Sequence, residues 1–256
     1  MAENRRVESR LTRYCSFSRF VSFLTDGVFL AKSSSFEDPW EGHVFHGVMA
    51  EPKNKKNLAA FVADRKQYIY VSCWHASEHE SYAMWRIYGQ SDAVAIHTDG
   101  GKLRALLKTL YEDCRAKPAL LSEVVYCEPV QGRLPPLDND KKYSVSYEDT
   151  LSEKERLWRE AVQQLFMYKP PAYTYEQEVR LIAVDPDAPE FLVLSENSSE
   201  RVGISVPVNL NEFVTAVSVA PWADSAFVNA VKAVSEKFGL PPERVRKSTL
   251  FQQPGM

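Results

Sequence analysis

The 256-residue sequence predicts an α+β fold: a mixed or antiparallel β-sheet core with flanking helices. Three observations carry that expectation. Short period-two apolar stretches and helical stretches follow one another without a regular βαβ rhythm, which disfavours a doubly wound parallel sheet. There is no internal repeat and no linker long enough to divide the chain, so residues 1–256 read as a single domain with residues 1–9 polar and frayed. A content of 45% hydrophobic and 25% charged residues is that of a globular chain able to bury a sizeable core.

Taken in order, Leu11 to Phe17 reads as a short strand carrying Arg13 and Tyr14, and Ser18 to Leu24 as a helix stopped by the turn dipeptide Asp26-Gly27. Val28 to Ala31 is an apolar strand running into Lys32-Ser33-Ser34-Ser35-Phe36-Glu37-Asp38-Pro39-Trp40-Glu41-Gly42, a loop dense in hydroxyls and acids. Residues 43–66 are helical in part, broken at Pro52-Lys53-Asn54. Tyr68 to Trp74 alternates and is rich in aromatic and β-branched residues, hence a strand. Ser81 to Tyr88 sets Tyr82, Trp85 and Tyr88 at helical spacing, Ala93 to His97 is a strand, and Asp99-Gly100-Gly101 opens a helix to about Cys114. Val124 to Cys127 is a further strand, and Pro129 to Tyr147 is the most loop-like segment. Thr150 and Glu153 form a capping box for a helix to Met167. Val202 to Val208 and Phe213 to Ala220 read as strands, and a helix from about Asp224 to Phe238 ends at Gly239.

Between these lies Tyr173-Thr174-Tyr175-Glu176-Gln177-Glu178-Val179-Arg180-Leu181-Ile182-Ala183. Val179, Leu181 and Ala183 alternate with Glu178 and Arg180, the pattern of a half-buried strand whose polar face carries Glu176, Glu178 and Arg180 near its start. Pro170-Pro171 upstream forces an extended or turn entry. A strand-entry carboxylate facing an open cleft adds little to packing, so the fold is expected to tolerate substitution of either glutamate.

A net charge of −3 gives no electrostatic case for sequence-independent nucleic-acid binding, although a local basic groove is compatible with it. Cys15, Cys73, Cys114 and Cys127 are widely spaced and form no C-x-x-C pair, which points to reduced thiols in a cytoplasmic setting. The N-terminus lacks the apolar run of a secretory signal and no stretch is long enough to span a membrane, so no membrane partner is expected.

Three groups of residues could carry chemistry. Arg13-Tyr14, Ser33-Ser34-Ser35 and Glu176-x-Glu178 follow in chain order: an arginine able to clamp a phosphate, hydroxyls at a strand end, and a carboxylate suited to an oxocarbenium-like centre. Against this stand a plain serine turn and a surface Glu178–Arg180 ion pair. Asp38, Glu41, His43, His46, Cys73, His75 and His79 form a second group, whose spacing matches no specific metal-binding pattern, so no metal is expected. The third is the aromatic helix Tyr82, Met84, Trp85, Tyr88, which suits a core as well as a ligand platform.

Two resemblances add to these readings. Phe29 to Glu41, Val71-Ser72-Cys73-Trp74, Met84-Trp85-Arg86-Ile87-Tyr88-Gly89, Tyr175-Glu176-Gln177-Glu178-Val179-Arg180, Ala220-Pro221 and Ser248-Thr249-Leu250 resemble a mostly bacterial family described as domain of unknown function 2971. The order of arginine, serine-rich strand end and E-x-E before a Val-rich strand is similar to the arginine-serine-glutamate class of ADP-ribosyltransferases. That likeness implies a split-sheet core and NAD as co-substrate. It implies that Arg13, with Tyr14 beside it where the motif has a small residue, and Ser33 or Ser35 bind NAD. Glu178 would be the catalytic carboxylate and Glu176 would orient the acceptor, while Tyr173, Tyr175 and Arg180 would line the acceptor side.

The leading expectation is a mono-ADP-ribosyltransferase acting on a protein, RNA or DNA acceptor, as a toxin or anti-phage effector held by a neutralising antitoxin protein. The alternatives are a metal-dependent hydrolase or nuclease using Asp38, Glu41 and the nearby histidines, and a non-enzymatic binding module in which Glu178 and Arg180 only pair.

Overall fold

The structure is a computed structural model describing residues 10–36, 55–89, 91–128, 152–190 and 200–252. Its first elements are strand β1 (Arg10–Ser16), helix α1 (Phe17–Asp26) and strand β2 (Val28–Lys32). The Ser16 side chain caps α1 by accepting from the Arg19 N–H, and Gly27, at φ 83°, ends it. A Cβ on Gly27 would stand 2.1 Å from the Val206 carbonyl oxygen, so only glycine fits that turn. Ser33–Ser35 form a single 3-10 turn. Helix α2 (Lys55–Lys66), strand β3 (Ile69–Ala76), helix α3 (Tyr82–Tyr88), strand β4 (Ala93–Asp99) and helix α4 (Gly100–Glu112) follow. Strands β5 (Ala119–Glu123) and β6 (Val125–Tyr126) precede helix α5 (Glu153–Phe166) and strand β7 (Tyr168–Lys169). Strands β8 (Glu178–Val184) and β9 (Gly203–Val206), helix α6 (Leu210–Phe213), strand β10 (Ala216–Val219), helix α7 (Ser225–Lys237) and strand β11 (Val245–Lys247) complete the chain.

The α+β class and the mixed sheet with flanking helices are therefore as the sequence predicts. Local readings shift where neighbouring signals compete. Helix α5 takes its capping box from Ser152 and Glu155 rather than from Thr150 and Glu153. Thr150, like residues 37–54 with their acids and histidines, lies outside the described residues. The segment Phe213 to Ala220 divides, because Asn209 caps the short α6 before β10 begins.

The chain forms two units, each assembled from separate segments. The first comprises Met1–Phe29, Trp74–Leu103 and Ser205–Met256. In it β1 pairs antiparallel with β4 along its whole length, from Arg10↔Asp99 to Ser16↔Ala93. β4 pairs antiparallel with β10, and β10 runs parallel to β11. Leu11, Val94, Ile96, Val217 and Val219 are buried, and Phe17 of α1 meets Phe227 of α7 with ring centroids 5.4 Å apart. Trp85 of α3 is fully buried while Tyr82 and Tyr88 are exposed, so the aromatic helix is core on one side only.

The second unit comprises Leu30–Cys73 and Arg104–Ile204. Here β8 lies between β5, antiparallel in the register Ala119↔Ala183 to Glu123↔Val179, and β3. β3 also pairs with β2, placing Lys32 opposite Tyr70. Trp158, Val162 and Phe166 of α5 pack with Ile69, Val71, Leu120 and Ile182 into one apolar cluster. The short β6 and β7 run parallel, and their pairing fixes Lys169 beside Tyr126. All seven residues of β8 are buried, so it is not the half-buried strand that its alternation predicts. Its polar face is closed by partner charges instead of by water.

Candidate active site

The centre of the second unit's polar chemistry is the start of β8. The two prolines act as the sequence implies: Pro170 is extended and Pro171 opens a 3-10 turn, Pro171–Glu176. Tyr173 and Tyr175 thus lie in that turn rather than in a strand. The turn ends on Gln177, at φ 41°, whose left-handed backbone reverses the chain so that Glu176 closes the turn and Glu178 opens the strand.

Both carboxylates are buried. The Lys169 ammonium bridges them, with Nζ 2.7 Å from Glu176 Oε2 and 3.2 Å from Glu178 Oε2. Arg180 Nη2 donates to Glu178 Oε2 at 2.9 Å, and its Nη1 donates to the Phe166 carbonyl at 2.6 Å. Two carboxylates and two cations cancel, which is what lets four charges stay out of water. Burial works against the charge on Glu178, yet Arg180 and Lys169, with hydrogen bonds from Arg180 and from the Cys73 thiol, hold its pKa at about 2. The backbone N–H of Glu178 donates to the Tyr126 hydroxyl at 2.9 Å, and its carbonyl accepts from Val124 N–H at 2.9 Å. The Lys169 ammonium also lies 5.2 Å from the Tyr173 ring centroid, within cation–π range. The result is a rigid, ionised carboxylate at the first position of a strand.

Of the residues the sequence singles out, Glu176, Glu178, Arg180 and Tyr173 come together here, and Tyr175 is exposed on the same turn. Ser33 is fully buried and donates to the Lys66 carbonyl at 3.0 Å, while Ser35 donates to the Lys32 carbonyl at 2.7 Å. Both hydroxyls thus brace the turn after β2. Along β3, Lys32 is opposite Tyr70, and Cys73, three residues further on, meets Glu178.

Arg13 and Tyr14 belong to the first unit. Arg13 donates to the Phe29 carbonyl at 3.0 Å, with its guanidinium 5.9 Å from the Trp74 ring centroid. The Tyr14 hydroxyl accepts the Ser81 N–H at 3.0 Å, its ring meets Trp85 edge-on at 4.9 Å, and burial pushes its pKa up to about 12. Of the histidines in the metal-dependent reading, His75 is buried against Tyr14 and His79 is exposed. Asp38, Glu41, His43 and His46 lie outside the described residues.

Sequence reasoning missed Lys169, Tyr126 and Cys73 as parts of this cluster. Lys169 carries a weak signal, being a lone cation directly before the Pro-Pro turn that delivers Glu176. Tyr126 and Cys73 carry none, since only strand pairing brings them near.

The model of a family described as protein of unknown function DUF2971 matches residues 84–181, a stretch that includes the resemblance at Met84 to Gly89 and the E-x-E segment. No curated protein matches the chain. Among solved structures, Thermus sp. 2.9 DarT in complex with NAD+ aligns with a TM-score of 0.39 and 11% identity, covering 94% of this chain and 96% of that one. The same protein in complex with ADP-ribosylated ssDNA gives a TM-score of 0.37 and 11% identity, covering 94% of each chain. Its complex with carba-NAD+ gives 0.37 and 10%, covering 94% and 95%.

Proposed function

We propose that the protein is a mono-ADP-ribosyltransferase using NAD as co-substrate, with Glu178 as the carboxylate that steadies the ribose while its bond to nicotinamide breaks. The observation that carries this reading is Glu178 itself: an ionised side chain held by Arg180, Lys169 and Cys73 at the opening of β8, two residues after a second buried carboxylate. Departure of nicotinamide leaves positive charge on C1′ and the ring oxygen of the ribose. A carboxylate already ionised and already oriented stabilises that charge without reorganising during the reaction. It gives up no proton first, because its pKa lies near 2. Glu176, on the preceding turn, serves the acceptor that takes the ADP-ribose.

In this reading Arg13 binds NAD, a role tested by Arg13→Lys. Losing the planar two-pronged donor raises KM for NAD with little change in kcat, whereas a purely structural arginine lowers the melting temperature and leaves KM alone. The cellular role that goes with the chemistry is a toxin or defence effector restrained by a neutralising protein, with a macromolecular acceptor. Cells expressing wild type should grow poorly and cells expressing Glu178→Gln normally.

The deciding measurement is nicotinamide release from NAD by the purified protein, with and without a chelator. Release that survives chelation is expected. Absence of release, or phosphodiester cleavage that requires a divalent metal, overturns the proposal in favour of the hydrolase reading.

A further inference from the structure

Tyr82 and Arg86 stand one helical turn apart on α3, so their side chains share its outer face. The Arg86 guanidinium lies 5.2 Å from the Tyr82 ring centroid and 4.3 Å from that of Trp222, and its Nε donates to the Tyr82 hydroxyl at 2.9 Å. Phe251 completes the group, its ring centroid 6.0 Å from that of Tyr82 and 6.3 Å from that of Trp222. All four residues belong to the first unit. Tyr82 is 49% and Phe251 52% exposed, so these rings form a surface and not a core. Aromatic rings gain by leaving water, and a group of them held in it marks a place that another molecule covers.

The surface is held rigidly from beneath. Trp222 meets the fully buried Trp85 edge-on at 6.3 Å, and its Nε1 donates to the Ser91 carbonyl at 3.3 Å. Glu80 accepts from Trp85 Nε1 at 3.2 Å and from the Ser248 hydroxyl, whose oxygen in turn accepts the Leu250 N–H at 3.2 Å. Gln252 N–H donates to the Thr249 carbonyl at 2.9 Å and closes the turn that presents Phe251. Segments for which the transferase chemistry has no use, Met84 to Gly89, Ala220-Pro221 and Ser248 to Leu250, thus meet at one face.

A guanidinium lying over an aromatic ring keeps its N–H donors at its planar edge. Only Nε of Arg86 is taken up by Tyr82, and no carboxylate pairs with Arg86 among the described residues. Its side chain is already fixed, so a carboxylate arriving at the Nη edge meets two preorganised donors. Tyrosine, tryptophan, phenylalanine and arginine are also the residues that concentrate binding energy in protein–protein interfaces. A nucleic-acid strand needs a row of cations along its phosphates, whereas this group carries one and the chain's net charge is −3.

We propose that Tyr82, Arg86, Trp222 and Phe251 form the docking surface for a partner protein, which lays an Asp or Glu carboxylate on the Arg86 edge and covers the rings with the apolar side chains on either side of it. The surface needs nothing from Glu178, so it stands or falls independently of the NAD chemistry.

The experiment uses two peptide probes that differ in one group, N-acetyl-Phe-Asp-Leu-amide and its uncharged isostere N-acetyl-Phe-Asn-Leu-amide. Each is titrated into the folded chain at millimolar concentration while NMR follows the Arg86 Nε–H and Trp222 indole N–H signals. Both signals should move, and the Asp peptide should bind about tenfold tighter than the Asn peptide, as a charge-assisted hydrogen bond to Arg86 predicts. Arg86→Gln should bring the two affinities together, and Phe251→Ala should weaken both peptides alike. Both residues are exposed, so the variants should stay folded, which thermal unfolding checks. An arginine that served only to stabilise α3 would lower the melting temperature and leave the affinity ratio where it was. Equal binding of the two peptides by wild type, or no movement of either signal, overturns the proposal. So does a tenfold ratio that persists in folded Arg86→Gln, since the carboxylate then docks elsewhere. Tighter binding of decathymidylate at the same signals overturns it in favour of a single-stranded nucleic acid as the occupant.

Discussion

The hydroxyl of Tyr126 accepts the backbone N–H of Glu178 at 2.9 Å, so the first residue of β8 is tied to β6 by a side chain instead of a ladder bond. Removing the hydroxyl strands a donor at the point where the catalytic candidate is set. Tyr126→Phe should lower stability by about 1–3 kcal/mol, the cost of an unsatisfied buried donor. NAD cleavage should fall by more than the loss of folded protein explains. Thermal unfolding and nicotinamide release, measured well below the melting temperature, check the two effects separately.

The two glutamates should separate in function. Glu178→Gln keeps the shape and removes the charge that offsets the ribose cation, so nicotinamide release should drop on the order of a hundred- to a thousandfold. Glu176→Gln should impair transfer to an acceptor while sparing part of the hydrolysis by water. Near wild-type rates for Glu178→Gln in both assays would return that residue to a structural ion pair. Neither mutant should be neutral for folding, contrary to the expectation for an open cleft. Each leaves a buried cation short of its partner, at a cost of about 3–5 kcal/mol at most, which denaturant titration will measure.

The same cluster marks the limit of what the sequence discloses. Arg180 and the E-x-E pair were legible because alternation along one strand puts Glu178 and Arg180 on one face. Their burial was not legible: a polar face looks the same in sequence whether water or Lys169 covers it. Lys169 lies seven residues before Glu176, and only the Pro170–Pro171 turn and the β6–β7 pairing bring it back. Helix ends were readable where one cap dominates, as at Asp224 before α7. They slipped where two Ser/Thr-x-x-Glu frames overlap, as in Thr150–Glu155. The three-residue β11 is stabilised by parallel pairing with distant β10, so its own residues carry no periodic signal.

A second acid-sensitive group belongs to the first unit. His97 is buried, and burial together with the nearby charges of Arg10 and Arg246 lowers its pKa from 6.5 to about 3. Arg10 Nε points at its Nδ1 from 3.1 Å, Thr12 Oγ1 is 2.9 Å from the same nitrogen, and Ser218 Oγ is 2.8 Å from Nε2. An imidazolium would turn an N–H toward a guanidinium, so the neutral ring is the folded form. Ser218 in turn donates to Glu80 at 3.0 Å, a carboxylate that also lies 3.9 Å from Arg10 Nη2. The folded pKa is below the unfolded one, so the contribution of His97 is complete above pH 6.5 and is lost as pH falls toward 3. His97→Gln should flatten the stability profile in that window, by about 1.4 kcal/mol per pH unit where the difference is fully expressed. A profile with unchanged slope in the mutant would show that His97 titrates alike in the folded and unfolded chains.

Glu178 should produce a separate loss at lower pH. Its folded pKa of about 2 is depressed from the ordinary 4.5, so its stabilising contribution is present above pH 4.5 and disappears as pH falls through 2. The His97 loss stands alone between pH 6.5 and 4.5 and overlaps that of Glu178 from there to 3, so the two mutants, each titrated beside wild type, tell them apart. In wild type, the stability lost between pH 4.5 and 2 from this group should be on the order of 3 kcal/mol. Glu178→Gln starts from lower stability at neutral pH and should lose less on acidification, so the two curves converge as pH approaches 2. Urea unfolding at half-unit steps from pH 7 to the acid limit gives both curves. Convergence supports a buried, ionised Glu178. Parallel curves would mean that its carboxyl titrates alike in the folded and unfolded chains, so that Arg180 and Lys169 hold the ionised form no better than water does.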